Sequence, residues 1–222
     1  MKHRLTLFSD AVYAIIITLM VLDLRTPETP GWHGWWHLLP AIGGYLATFV
    51  LLLVIWLHHH HVFLRLREFN RAMFWFNGAH LFFVSLLPLT LRSVIDHPRD
   101  PWGYIAYQAA AWNATTCMTW LRLAASKIHG SDPGWREWSR KRNRVVVIGT
   151  LQAAVFVALT FVYLPAAIAI FLAMLIYFVV SIDISVTAGT TDTQEGLTPS
   201  QESSGPGIEN LPSREHATST AD

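Results

Sequence analysis

The chain has 222 residues, of which 52% are hydrophobic and only 14% are charged. Soluble domains carry about 25% charged residues, so this composition points to a membrane protein. The formal net charge is +1 and the single cysteine is Cys117. The first offers no basic excess for nucleic acid, and the second excludes an intrachain disulfide.

A helix crossing a bilayer needs about 20 mainly apolar residues. Six candidate spans meet this reading, at about 5–24, 39–63, 72–91, 102–123, 145–162 and 165–186. The predicted class is therefore an all-α membrane protein with six transmembrane helices, forming one domain over 1–187. The first span ends in Asp23-Leu24-Arg25 with no small-residue cleavage site, so it is expected to be retained. Pro40 is placed in the first turn of the second span, where its missing N–H is harmless. The fourth span is the least apolar, with Gln108, Asn113, Thr115, Thr116 and Thr119. Tyr163-Leu164 reads as a tight turn between the last two spans.

Lys and Arg cluster before span one, between spans two and three and between spans four and five. The opposite loops hold only Arg25, Arg92 and Arg99. By the positive-inside rule both termini are expected in the cytoplasm, in a multi-pass protein of the cell membrane. Trp32, Trp35, Trp36 and Trp102 fit the outer interface, and Trp135 and Trp138 fall in the basic loop before span five. From 188 to 222 the chain is rich in Ser, Thr, Gly, Pro and Glu. It lacks the apolar surface to offset ordering entropy, and a disordered cytoplasmic tail is expected there.

The first span carries the sharpest signal. At 100° per residue Ile15, Leu19 and Leu22 share one stripe, which Phe8 and Arg4 extend. Asp10 points roughly the other way, and Thr18 sits beside the stripe. Two readings of Arg4, Ser9 and Asp10 fit the residues. They form a buried polar network anchoring a pore-lining helix, or Arg4 is a positive-inside residue and Asp10 lies near the interface. Large aliphatic residues at helical spacing also serve as plain lipid or core contacts. If several copies met at an axis, they would form hydrophobic rings of the kind that gate by dewetting. The Thr18 hydroxyl either meets a passing cation or bonds its own i−4 carbonyl.

His58, His59, His60 and His61 stand in a row near the end of span two. Consecutive residues fan around a helix, and no acidic residue or cysteine stands at useful spacing, so no metal site is expected. One imidazole is expected to turn inward toward Asp10 or Ser9, since antiparallel packing puts the end of span two beside the start of span one. Asn77 in span three is a candidate for a hydrogen bond across helices, and Pro88 for a kink. The chain holds no phosphate loop, HExxH or GxSxG, and no nucleophile–base set, so an enzyme is not expected and no cofactor is implied.

These residues resemble the transmembrane protein 175 family of potassium channels. The resemblance rests on Arg4-x-x-x-Phe8-Ser9-Asp10 followed by Ala14-Ile15 and Thr18-Leu19. It continues with Trp56-x-x-His59-x-x-x-Phe63, then Asn77 and the Leu87-Pro88 pair. It covers the six spans, with specific motifs in the first three and topology alone in the last three. It implies a potassium-preferring cation channel without a TVGYG filter. It implies a pore lined by the first span, with a constriction at Ile15, Leu19 and Leu22 and the filter threonine at Thr18. It implies that Arg4, Ser9, Asp10, His59 and Asn77 form the network holding the pore helix. A single six-span repeat implies a homotetramer in the lipid bilayer, with potassium as the permeant ion and no nucleic-acid partner. The run of four histidines departs from the family pattern and leaves open which imidazole faces inward. Two other classes remain: a proton-coupled carrier using Asp10 and a second-span histidine, and a membrane scaffold whose tail is its partner site.

Overall fold

The structure is a computed structural model and describes residues 2–27, 30–66 and 68–194, with side chains described to residue 180. It divides into two units, Met1–Ile184 and Ser185–Asp222. Of the second unit the described part is helical backbone, which continues to Gln194. The polar tail expected from residue 188 thus begins as helix, and the remainder of it lies outside the described residues.

The described chain is all helix. Helix α1 spans Lys2–Leu19 and tightens into a 3₁₀ turn at Met20–Asp23. Helix α2 follows at Trp32–Arg65, α3 at Arg71–Ser85 and α4 at Leu87–Asp96. The chain closes with α5 at Pro101–His129, α6 at Pro133–Val162 and α7 at Leu164–Gln194. Among the described residues four stretches are long and apolar enough to cross a membrane: Lys2–Asp23, Trp32–Arg65, Arg71–Asp96 and Pro133–Val162. Helix α5 is long enough but carries the polar residues already noted, and the apolar part of α7, Leu164–Val180, is shorter.

Local chemistry explains the boundaries. Asn70 caps α3, its Oδ1 accepting from the Met73 N–H at 2.9 Å. Asp100 and Asp132 cap α5 and α6 in the same way, each followed by proline in the first turn. Gly31, at φ 90°, starts α2 in a conformation that side chains with a Cβ rarely adopt. Pro88 cannot donate to the Val84 carbonyl, and the third span breaks at Leu86 into α3 and α4. A single residue, Tyr163, separates α6 from α7.

Two sequence expectations are corrected here. Pro40 lies well inside α2, because helix begins at Trp32 rather than near residue 39. Its ring leaves the Trp36 carbonyl without the usual i+4 donor. Helix α6 begins at Pro133, so the basic residues Arg136, Arg140, Lys141, Arg142 and Arg144 ride on a helix and not on a loop. Trp135 sits in the first turn of this helix. It is buried, donates its indole N–H to Ser126 Oγ at 2.9 Å and joins the apolar cluster of Phe63, Leu66, Met73 and Met118.

Helix α1 packs on α2 and α3, while α5 packs on α3, α4 and α6. At the α4–α5 contact a Cβ on Gly103 would stand 3.1 Å from Ser93 Oγ, so the two backbones approach closely where glycine sits. The buried face of α1 is Ser9, Tyr13 and Ile16, continued by Met20 in the 3₁₀ turn. Tyr13, Ile16 and Met20 join Leu52, Ile55 and Val84 in the main core. At the end that carries the N-terminus, the Lys2 ammonium donates to the Leu66 carbonyl beyond the last turn of α2. A cation there offsets the negative end of the helix.

Candidate functional site

The inner face of α1 is held by a chain of hydrogen bonds across three helices. Ser9 is fully buried, and its hydroxyl donates to the Leu5 carbonyl at 2.9 Å. Asn77 Nδ2 on α3 donates to Ser9 Oγ at 3.0 Å. Asn77 Oδ1 accepts from His59 Nε2 on α2 at 2.8 Å. A carbonyl oxygen can only accept, so the Nε2 of His59 carries a proton. Of the four consecutive histidines, His59 is the one turned into the core.

One turn further along, a second pair repeats the arrangement. The Tyr13 hydroxyl and His80 Nε2 are 2.5 Å apart, and His80 Nδ1 bonds the Ala114 carbonyl on α5 at 2.8 Å. The carbonyl takes the Nδ1 proton, so a neutral His80 accepts from Tyr13 at Nε2. The His59 and His80 rings stack at 5.5 Å. The sequence reading missed Tyr13 and His80. Their signal was spacing: Tyr13 lies four residues after Ser9 and His80 three after Asn77, each on its partner's helix face.

Asp10 is half-buried beside this chain and takes a different partner. Trp56 Nε1 donates to Asp10 Oδ1 at 2.9 Å. No described hydrogen bond links Asp10 to a histidine. Arg4 is exposed and makes no hydrogen bond or ion pair among the described residues. The structure thus brings Ser9, His59 and Asn77 together, sets Asp10 beside them through Trp56, and leaves Arg4 apart.

The opposite face of α1 is left largely exposed by the described residues. Ile15 is 55% exposed, Leu19 54% and Leu22 75%, and Phe8 continues the stripe. Thr18 is exposed beside them. Its hydroxyl donates to the Ala14 and Ile15 carbonyls at 2.8 and 3.0 Å. With the proton engaged, the Oγ1 lone pairs face outward, where they can only accept or meet a cation.

The C-terminal end of this helix is tied as well. Arg92 on α4 bridges Asp23 at 3.2 Å and Asp96 at 3.5 Å, and Arg25 reaches Asp96 at 3.6 Å. The sequence reading had noted Arg92 and Arg25 only as outer-loop charges. One helix, clamped at both ends and along its buried face, thus leaves an aliphatic stripe free.

The fold and this arrangement define a multi-pass helical membrane protein with a first helix fixed by polar contacts. Comparison with known proteins places it further. Residues 4–88 match the family described as the endosomal/lysosomal potassium channel TMEM175. A protein of Chryseobacterium sp. (strain P1-3) named a potassium channel is 41% identical over 88 residues, 40% of this chain and 46% of that protein. Another so named, from Streptomyces collinus, is 28% identical over 179 residues, 75% of this chain and 85% of that one. The crystal structure of a lysosomal potassium-selective channel TMEM175 homolog from Chamaesiphon minutus shares the fold, with a TM-score of 0.68. That match has 22% identity and covers 81% of this chain and 97% of the other. By sequence residues 4–88 are similar to the TMEM175 family, and the helical bundle as a whole shares the fold of a TMEM175 homolog. The chain's alignment spans about half the length of the Chryseobacterium relative, at 46%.

Proposed function

We propose that this chain is the subunit of a potassium-preferring leak channel of the cell membrane. Four copies surround an axis, and four first helices line the pore. Both termini face the cytoplasm. The carrying observation is the uncovered stripe of Ile15, Leu19 and Leu22 on a helix whose other face is anchored by Ser9, Asn77 and His59. Closed cyclic assembly is the usual way for several copies to surround one axis. In that assembly the aliphatic residues form successive rings, narrow enough to control wetting. Thr18 offers four outward oxygens beside the rings and biases the ion preference. The names of the prokaryotic relatives support potassium as the ion.

Ser9, Asp10, His59 and Asn77 act as the frame of the pore helix and carry no ion. Arg4, exposed in the single chain, is assigned to the same frame through a neighbouring subunit. The carrier reading loses ground because Asp10 bonds Trp56 and not a histidine.

Purified protein in planar bilayers under opposed potassium and sodium gradients tests the proposal. Discrete currents reversing toward the potassium potential, from a particle with four times the subunit mass, are expected. No unitary currents together with saturable, proton-driven uptake in liposomes would overturn it.

A further inference from the structure

The far side of α2 carries a site unrelated to the pore helix. His58 turns away from His59 toward α5 and α6, where Arg122 is buried and Arg142 is partly buried. Arg122 is 1% exposed, and its Nη2 donates to Asn143 Oδ1 at 2.7 Å. Its Nε and Nη1 have no hydrogen-bond partner among the described residues. Arg142 directs Nη2 at His58 Nδ1, and its own Nε is unpartnered. Among the described residues neither arginine forms an ion pair. Arg122 lies in the field of Arg142, and His58 in the field of both. Buried charges are ordinarily paired or bound to something of opposite sign.

A cavity of about 120 Å³ opens beside them, between α2, α5, α6 and α7. Arg142, His58, Gln108 and Gln152 stand on its wall. Gln108 is 6% exposed with Oε1 unpartnered, and Gln152 Nε2 is unpartnered as well. An amide turns over readily to present its N–H groups. The rest of the wall is largely apolar, with Phe171, Met174 and Phe178 from α7. Several waters would fit, at roughly 30 Å³ each. Water would satisfy the donors but would leave two like charges uncompensated. An anion does both.

We propose that this cavity binds a phosphate-type oxyanion, held by Arg142 and His58, with Arg122 supplying positive charge behind them. The phosphate comes from a phospholipid headgroup whose chains lie on the apolar wall, or from free phosphate. In either case the site takes a tetrahedral oxyanion, for which the arginine fork supplies paired donors.

Thermal unfolding of the purified full-length protein in detergent tests this with three added probes: phosphatidylglycerol, phosphatidylcholine and inorganic phosphate. Saturating ligand raises Tm by roughly 5 °C in the wild type. A rise with phosphatidylglycerol and not with phosphatidylcholine or phosphate assigns a lipid source. A rise with inorganic phosphate alone assigns a soluble one. Arg142→Gln loses the rise, and Arg142→Lys, which keeps the charge, retains part of it. If Arg142→Gln does not fold, Gln152→Leu and native mass spectrometry of wild type for a retained phospholipid decide the matter. No rise with any probe and no retained phospholipid, or an equal rise in Arg142→Gln, overturns the proposal.

Discussion

His59 on α2 donates to Asn77 on α3 across 2.8 Å, and both side chains are almost fully buried. Asn77 then donates to Ser9 on α1, so a single amide ties three helices together. An amide suits this position because it carries a donor and an acceptor on one planar group. Neither a carboxylate nor a lysine would serve both neighbours.

Replacing Asn77 with alanine orphans His59 and weakens the hold on Ser9. A loss of about 2 kcal/mol is expected. In a chain of this size that lowers Tm by roughly 4–8 °C. Differential scanning fluorimetry of the purified protein measures it. The reversal potential of surviving channels should stay that of wild type. A normal Tm with altered selectivity would mean that Asn77 faces ions.

Trp56 and Asp10 form a charge-assisted pair. In a double-mutant cycle with Trp56→Phe and Asp10→Asn, a coupling of about 1.5 kcal/mol is expected. Additive effects in unfolding experiments would show that the indole acts by packing alone.

Ile15→Asn places a polar group on the exposed stripe and should raise basal current by easing wetting. Thr18→Ala removes an outward oxygen. A contact worth about 1 kcal/mol of preference corresponds to roughly fivefold in the potassium-to-sodium permeability ratio. Bi-ionic reversal potentials measure that ratio. Wild-type values in both variants would sink the assignment of pore and filter to α1.

Arg92 bridges Asp23 and Asp96 at the C-terminal end of α1, with all three side chains partly exposed. Arg92→Gln should cost less than about 1 kcal/mol in low salt. The difference from wild type should fade in 1 M salt, where the Debye length is about 3 Å. A salt-independent loss would point to packing by the arginine stem.

Part of the geometry of α1 was legible in the sequence. Helical periodicity put Ile15, Leu19 and Leu22 on one face, and they share one exposed face in the structure. The same periodicity set Asp10 on the other side. It did not supply Asp10's partner, which is Trp56 and not a histidine. Asn77 was recognisable because a buried amide in an apolar span needs company. Tyr13 and His80 were not, because each reads alone as an ordinary aromatic residue in a membrane helix.

Composition and apolar run length were sufficient for the class, an all-helical membrane protein, and short motifs in the first three spans carried the resemblance that residues 4–88 show to the TMEM175 family. Both are properties of a helix or a segment taken singly. Which of four adjacent histidines faces the core depends on the rotation of α2 against α3, and no periodicity within α2 contains that angle. The early starts of α2 and α6 escaped notice because their first turns are polar, basic or rich in tryptophan, and a hydropathy run begins only where the apolar residues do. The burial of Trp135 and of Arg122 follows from the same packing. Their surroundings come from helices far apart in the chain, brought together only when the bundle closes.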